Sequence, residues 1–303
     1  MEILYFLENL RMPVLNEFML LVTKFGEETA LLVAALIAFW CVDKKKGYFL
    51  MSVGFAGTIA TSFLKLLCRI PRPWVLDENF TILEAAREAA TGYSFPSGHS
   101  QTAVGAFGSL AIIAKKKWLK ALFILIAVLV PVSRMYIGVH TPWDVLAGAA
   151  LSLLLMLIFR PLVLERGDRC IKGLIAGMLL LAIGYLLYVE FYPFPADMDP
   201  HNISAGIKNA YTLIGCLGAM AVVYAVDEKC IQFTTEAIWW AQILKVILGL
   251  VLVLLVKEGL RTPLEIVFAE HMAARAVRYF LVVLTAGTIW PMTFRWFSKL
   301  GET

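Results

Sequence analysis

Three short segments in the first half of the chain carry side chains that together suit chemistry on a phosphate ester. The segments read Lys65-x6-Arg72-Pro73, Pro96-Ser97-Gly98-His99 and Ser133-Arg134-x5-His140-x3-Asp144. They supply cations, serine hydroxyls, two imidazoles and a carboxylate within a stretch that is otherwise mostly apolar. Hydrolysis of such an ester needs cations for its oxygens, a nucleophile for phosphorus and a proton donor for the leaving group. We therefore treat these residues as one candidate site.

The composition indicates a membrane protein built from helices. Of the 303 residues, 60% are hydrophobic and 17% are charged, and the apolar residues fall in long runs rather than in amphipathic stripes. Such runs are typical of transmembrane helices. The net charge of +4 is modest, and no dense basic stripe indicates a nucleic acid partner. The five cysteines lack CxxC spacing, so they indicate neither a zinc site nor a required disulfide.

The apolar runs predict an all-α, polytopic membrane bundle with nine spans. The spans are approximately 27–42, 47–68, 98–114, 118–133, 142–159, 171–190, 204–226, 237–256 and 276–297. Residues 1–24 precede them as an interfacial helix followed by a short helix or re-entrant piece. We therefore divide the chain into this N-terminal segment, a six-span core at residues 25–190 and an accessory region of three spans at residues 191–303.

The lysine and arginine residues of the short loops predict the orientation. Eleven cations lie in loops on one side of the nine-span arrangement: Lys44, Lys45, Lys46, Lys115, Lys116, Lys117, Lys120, Arg160, Arg166, Arg169 and Lys172. Short loops rich in these residues stay in the cytoplasm. The loops with residues 66–97 and 134–141 then lie on the opposite face. We expect an integral protein of the plasma (inner) membrane whose candidate site opens to the extracytoplasmic side.

The first motif segment has three cations at the end of a predicted span. Spacings of four and seven residues put Lys65 near the same helical face as Arg69 and Arg72. Pro71 and Pro73 then end the helix and hold Arg72 between them. A guanidinium held in this way suits bidentate phosphate binding. For Lys65 and Arg69 the alternative, cations that extend to the membrane interface, is equally open.

The second motif segment comes directly before an apolar run. Ser97 suits the capping position of that helix, which by itself would be an ordinary structural role. A helix N-terminus also presents free N–H groups to an anion. Gly98 lets the backbone approach a phosphate closely, and His99 stands in the first turn beside it.

The third motif segment joins the end of one span to the start of the next. Thr141 and Asp144 have the spacing of a capping box, with Pro142 as the first helical residue. Asp144 also follows His140 by four residues, so its carboxylate is able to bond one ring nitrogen and leave the other free to attack phosphorus. Both interpretations are compatible. Arg134 within a span would cost roughly 2.5–3.5 kcal/mol near mid-depth, so we expect an anionic partner for it.

In order and spacing, the three segments match the signature KxxxxxxRP…PSGH…SRxxxxxHxxxD at all eleven positions. The chain therefore resembles the type 2 phosphatidic acid phosphatase family over roughly residues 25–190. The last three spans depart from the six-span bacterial members and look more like the longer sphingosine-1-phosphate phosphatases.

The resemblance implies a role for each matching residue. His140 would be the nucleophile that forms a phosphohistidine, Asp144 would orient it, and His99 would protonate the leaving oxygen. The phosphoryl oxygens would be bound by Lys65, Arg72, Ser97, Gly98 and Arg134. The family needs neither metal nor cofactor.

The leading hypothesis is a phosphatase that acts on a lipid phosphate or diphosphate, such as an isoprenyl diphosphate, phosphatidic acid, phosphatidylglycerol phosphate or a sphingoid phosphate. Two alternatives stay open: a phosphoryl or headgroup transferase on a lipid carrier, and a non-catalytic protein that binds or transports lipid phosphates. The expected partners are this substrate and the membrane lipids. Residues 171–300 contain no catalytic pattern, so bracing the core, shaping a lipid entrance and forming a homodimer surface are roles that stay open for them.

Overall fold

The computed structural model describes residues 1–87 and 90–300, and this part of the chain consists of helices and loops without a β-strand. The helices are α1 (Glu2–Asn9), α2 (Pro13–Lys24), α3 (Glu28–Ile37), α4 (Lys44–Cys68), α5 (Pro73–Leu76), α6 (Gly98–Ile113), α7 (Lys117–Tyr136), α8 (Pro142–Arg160), α9 (Asp168–Phe191), α10 (Pro200–Val226), α11 (Trp239–Gly259), α12 (Arg261–Val267), α13 (Ala273–Leu284) and α14 (Phe294–Lys299). Short π-helical segments continue α3, α8, α10 and α13. Two 3-10 turns lie at Glu84–Ala86 and Pro291–Thr293.

Seven helical segments among the described residues are long and apolar enough to cross a membrane, which confirms the predicted polytopic all-α fold. An eighth forms if α2 and the extended α3, bent by 53° at their junction, count as one broken span. The sequence predicted nine spans. The count of eight differs from this prediction by α6, whose 16 residues are only about 24 Å long and therefore short for a hydrocarbon core of about 30 Å. The count of seven also leaves out the bent pair of α2 and α3.

The chain folds into two compact units, each discontinuous in sequence. The first comprises Met1–Leu32, Val53–Arg160 and Phe194–Gly206, and α6 lies at its centre against α7 and α8. Most side chains of α6 are buried. The apolar core of the first unit contains Val22, Leu31, Ala103, Ala106, Phe107, Ala127 and Val130. The sequence-based division at residues 24 and 190 stays a prediction about functional regions.

Glycines let the helices of the first unit approach α6 closely. A Cβ atom on Gly148 of α8 would lie 2.4 Å from the backbone oxygen of Ser97, at the start of α6. A Cβ on Gly57 of α4 would lie 1.7 Å from the side-chain nitrogen of Gln101. At Gly148 the contact is with the backbone, so only glycine allows this packing. At Gly57 the contact is with the end of the Gln101 side chain, which would have to move to admit a larger residue.

The second unit comprises Val33–Ser52, Pro161–Pro193 and Ile207–Thr303. Trp40 is fully buried there and donates its indole N–H to the carbonyl oxygen of Ala286 at 2.9 Å. Lys44 forms an ion pair with Asp227 at 2.6 Å, and its ammonium lies 3.9 Å from the ring centroid of Phe233. Aromatic packing, the indole hydrogen bond and this ion pair thus stabilise the unit.

Replacing Gly148 by Ala should destabilise the first unit, because the new methyl group would meet a backbone oxygen that cannot move without shifting the start of α6. We expect a loss of about 1–3 kcal/mol, the usual effect of overpacking. Thermal unfolding of the purified protein in detergent measures it. The matched control is Gly184→Ala in α9, where a Cβ has no heavy atom within 4 Å. Equal melting temperatures for both variants would contradict the close packing of α8 on α6.

Candidate active site

The three motif segments meet at one end of the first unit because each adjoins the end of a helix. Lys65 lies in the last turn of α4, and Arg134 in the last turn of α7. Ser97, Gly98 and His99 begin α6. His140 precedes α8, and Asp144 lies in its first turn. The fold therefore gathers all the candidate residues that the sequence indicated.

Arg72 reaches this cluster from a loop, not from a helical face. Helix α4 ends at Cys68, and Arg69 turns the chain with a left-handed φ of 53°. Arg72 follows in extended conformation before the short α5. The prediction that Lys65 and Arg72 share one helical face is therefore wrong, because the helix ends before Arg72.

The guanidinium of Arg72 is buried and makes a dense set of contacts. It donates to the carbonyl oxygens of Thr91 at 2.7 Å, Gly92 at 3.0 Å and Val139 at 2.9 Å. Its Nη1 lies 3.0 Å from Nε2 of His140. The side chain thereby ties two loops together and brings a positive charge onto the imidazole.

Lys65 reaches toward the loop before α6 and joins the cluster there. Its ammonium donates to the carbonyl oxygen of Tyr93 and approaches that of Ser94 at 3.5 Å. Arg69 instead folds back and donates to the carbonyl oxygen of Leu66 at 3.1 Å. Of the two cations, only Lys65 faces the loop that Arg72 also binds.

The start of α6 combines a conventional cap with an open backbone. Ser97 is fully buried, and its hydroxyl oxygen accepts from the backbone N–H of Ser100 at 3.3 Å. Its own backbone N–H donates to the carbonyl oxygen of Asp144 at 2.9 Å, which fixes α6 against α8. A Cβ on Gly98 would meet no heavy atom within 4 Å. The N-terminus next to His99 therefore has room for an anion.

The carboxylate of Asp144 lies close to both of the groups that its spacing indicated. As a capping box, its carboxylate accepts from the Thr141 backbone N–H at 2.7 Å, while its own backbone N–H donates to the Thr141 hydroxyl at 3.3 Å. The same carboxylate oxygen, Oδ2, lies 3.5 Å from Nδ1 of His140. Nδ1 thus faces the carboxylate, and Nε2 faces Arg72.

Ser94 is a member of the cluster that the sequence analysis missed. It is fully buried, its hydroxyl donates to Oδ2 of Asp144 at 2.6 Å, and it lies 3.4 Å from Nδ1 of His140. The only sequence signal for it is a hydroxyl residue two positions before Pro96. Ser94 thus sits between the carboxylate and the imidazole.

Arg134 lacks the bonded carboxylate that we expected. The side chain is 2% exposed, and its Nη1 donates to the hydroxyl of Thr23 at 2.7 Å. No ion pair joins it to a carboxylate in the described part of the chain, although the charge of Glu27 acts on it. Its Nε is buried without an acceptor. A buried cation with an unused N–H is suited to an anionic ligand.

The electrostatics of the cluster favour a neutral histidine and an anionic ligand. Burial, and then the positive charges of Arg72, Lys65 and Arg134, lower the pKa of His140 well below its ordinary value. Its imidazole is therefore uncharged near neutral pH, which leaves a lone pair for attack. The charges of three cations act on this imidazole, whereas one carboxylate, that of Asp144, lies next to it. Among the described residues, no group of three or more His, Cys, Asp or Glu side chains could hold a metal ion.

Comparison with known proteins agrees with this geometry. The profile of the PAP2 superfamily matches residues 45–168, and that of the PAP2 superfamily phosphatase transmembrane extension matches residues 211–302. No solved structure matches the chain.

Three curated relatives illustrate the range of the similarity. An undecaprenyl-diphosphatase of Sulfolobus acidocaldarius is 33% identical over 44% of this chain and 64% of its own length. Phosphatidylglycerophosphatase B of Bacillus subtilis is 31% identical over 50% of this chain and 76% of its own length. Sphingosine-1-phosphate phosphatase 1 of Rattus norvegicus is 23% identical over 78% of this chain and 57% of its own length. With the signature residues gathered at one end of a helical membrane unit, the chain belongs to the PAP2 superfamily.

Proposed function

We propose that the protein is a phosphatase that hydrolyses a lipid phosphate or diphosphate through a phosphohistidine on His140. The observation that carries the proposal is the position of His140. Its imidazole is buried and neutral, has Nε2 3.0 Å from Nη1 of Arg72, and has Nδ1 facing Asp144. A neutral imidazole among cations is suited to attack a phosphate whose negative charge those cations neutralise.

In the first step, Nε2 of His140 attacks phosphorus, and the bond from phosphorus to the leaving oxygen breaks. Burial and the charges of Arg134, Arg72 and Lys65 lower the pKa of His99 to about 2, and the negative charge of the bound phosphate raises it again. His99 in its protonated form then donates a proton to the leaving oxygen, so the lipid alcohol, or the lipid monophosphate of a diphosphate, carries that proton as it departs. Because Nδ1 faces Asp144 and Ser94, the carboxylate stabilises the positive charge that develops on the ring. The oxygens of the transferring group interact with Lys65, Arg72 and Arg134.

In the second step, water attacks the phosphohistidine and gives one proton to His99. The bond between phosphorus and Nε2 breaks, inorganic phosphate leaves, and both histidines return to their starting states. The backbone N–H of Gly98, at the N-terminus of α6, and the hydroxyl of Ser97 donate to the phosphoryl oxygens throughout. The three cations supply the positive charge, so the reaction requires no metal ion or cofactor.

A lipid substrate is the class best supported by the surroundings of the site. The relatives are named for undecaprenyl diphosphate, phosphatidylglycerophosphate and sphingosine 1-phosphate. Three of the helices whose ends meet at the cluster, α4, α7 and α8, belong to candidate membrane spans, so a phosphate at the helix ends has its apolar tail beside them. We further propose that the protein lies in the plasma (inner) membrane with the cluster on the extracytoplasmic side, because the lysine-rich loops lie at the opposite helix ends.

Replacing His140 by Ala should abolish turnover, whereas His99→Ala should reduce it by about 10²–10⁴, the usual contribution of a general acid. The two roles separate when the leaving group is varied. A phosphate ester of an acidic phenol needs no proton on departure, so it should restore much of the activity of His99→Ala and none of that of His140→Ala. The matched control is the exposed His201, whose replacement by Ala should leave the rate unchanged. Full activity in His140→Ala would refute the assignment of His140 as the nucleophile.

Replacing Ser94 by Ala should lower kcat/KM by roughly 10- to 100-fold, since a hydrogen bond to a charged group is worth about 1.5–3 kcal/mol. Ser94→Thr keeps the hydroxyl and should restore most of the rate. We expect Ser94→Ala also to shift the acid limb of the pH profile, because the ring loses a neighbour of Nδ1. Ser109→Ala, which removes a buried hydroxyl without a partner, is the control. An unchanged profile would leave Ser94 with only a structural role.

Activity should survive an excess of chelator, because Lys65, Arg72 and Arg134 already neutralise the phosphate. Vanadate should inhibit, since its five-coordinate form resembles the transition state. Phosphate release from purified lipids in detergent measures both effects. Complete loss of activity in chelator, with recovery on addition of magnesium, would rule out this mechanism.

A cysteine at Asn79, introduced into a chain without its native cysteines, should react with a membrane-impermeant thiol reagent in intact cells. Asn79 is exposed and lies in the loop between α5 and α6. A cysteine at the exposed Lys116, between α6 and α7, is the matched control and should react only after lysis. The reverse labelling pattern would place the catalytic loops in the cytoplasm.

A further inference from the structure

The second unit contains a charged pocket that shares no residue with the catalytic cluster. It has a volume of about 500 Å³ and lies among the ends of α10, α11 and α13, beside α12. Five of its lining residues are cations: Lys208, Lys257, Arg261, Arg275 and Arg278. Three are carboxylates: Glu258, Glu265 and Glu270. The lining therefore has an excess of positive charge.

Only two of these cations form ion pairs with the carboxylates of the pocket. Lys257 lies 3.3 Å from Glu258, and Arg261 lies 3.5 Å from Glu265. In the described part of the chain, no carboxylate lies within ion-pair distance of Lys208, Arg275 or Arg278. Three positive charges therefore line one pocket without a bonded negative charge.

Contacts with neighbouring side chains hold Arg275 and Arg278 in place. Arg275 donates through Nε to the hydroxyl of Thr212 at 2.7 Å, and that hydroxyl donates to the carbonyl oxygen of Lys208 at 2.8 Å. Both guanidinium groups lie near the ring of Tyr279, at 5.3 Å for Arg275 and 5.4 Å for Arg278. Nε of Arg278 is buried without an acceptor. Planar guanidinium groups held in this way match the oxygens of a phosphate.

The depth of the pocket indicates where such a phosphate comes from. One candidate span, Trp239–Val267, ends at this pocket, and the next, Ala273–Lys299, begins there. The ends of spans lie at the level of the lipid headgroups, where clustered cations attract anionic lipids. Lipid phosphate groups therefore lie close to this pocket.

We propose that this pocket binds the phosphate group of an anionic membrane lipid, with Arg275 and Arg278 as its main ligands and Lys208 at its exposed edge. The inference does not depend on the catalytic mechanism, because none of these residues belongs to the three motif segments. Free inorganic phosphate offers the same oxygens, so the experiment includes it as a competitor.

Native mass spectrometry of the full chain, titrated in detergent with dioleoylphosphatidylglycerol, tests the proposal. This lipid is a phosphodiester without a terminal phosphate, so the proposed hydrolysis does not consume it. Arg275→Gln with Arg278→Gln should weaken lipid retention by roughly 30-fold, since each cation near the membrane surface contributes about fivefold. The control is Arg295→Gln with Lys299→Gln, two exposed cations outside the pocket, which should retain the lipid as the wild type does.

Millimolar inorganic phosphate distinguishes the two sources. If inorganic phosphate does not displace the bound lipid, the pocket is specific for the lipid headgroup. If inorganic phosphate displaces the lipid from the wild type, the pocket binds both the lipid headgroup and free phosphate. Equal retention by the pocket variant and its control would overturn the proposal. If the double variant does not fold, Lys208→Glu at an exposed side chain replaces it, and unchanged retention in that variant overturns the proposal equally.

Discussion

The candidate site depends above all on the buried guanidinium of Arg72. It donates to carbonyl oxygens of Thr91, Gly92 and Val139, and so it joins the loop before α6 to the loop before α8. The same group lies against Nε2 of His140. A buried cation is stable only where acceptors surround it, so these carbonyl oxygens allow the charge to remain next to His140. His140, the carboxylate of Asp144 and the N-terminus of α6, which we propose as nucleophile, orienting group and phosphate-binding site, are thereby held in one arrangement.

Much of the site could be predicted because its residues follow local rules. The capping box of Thr141 and Asp144 depends on a spacing of three residues, and Ser97 caps α6 for the same reason. The route of Arg72 could not be predicted, since it depends on where α4 ends. Ser94 was missed because its partner, Asp144, is 50 residues away and is brought near only by packing. We expected an anionic partner for Arg134, but its guanidinium donates to the hydroxyl of Thr23 and keeps one N–H without an acceptor. In the proposed function, the phosphate of the substrate is that anionic partner.

For the fold, too, the sequence predicts the features that depend on nearby residues and misses those that depend on distant ones. Composition predicts the spans well, because each apolar run must be helical in a bilayer. The number of spans differs at α6, whose 16 residues are shorter than a typical span. Because α6 is buried against α7 and α8 and runs beside α7 from the cluster to the loop with Lys116, its two ends still lie at opposite ends of these helices. In the second unit, hydropathy reveals nothing of the cationic pocket, since Lys208 and Arg278 are 70 positions apart and come together only through the packing of α10 with α13.

The central claim is that His140 carries the phosphoryl group during turnover. Rapid quenching of the wild-type protein with a ³²P-labelled lipid phosphate, followed by peptide mapping, tests it most directly. The account predicts a label that is stable in alkali, labile in acid and confined to the peptide with His140, and no label in His140→Ala. An acid-stable label on a serine such as Ser97, or a burst of released alcohol with no labelled protein, would contradict it.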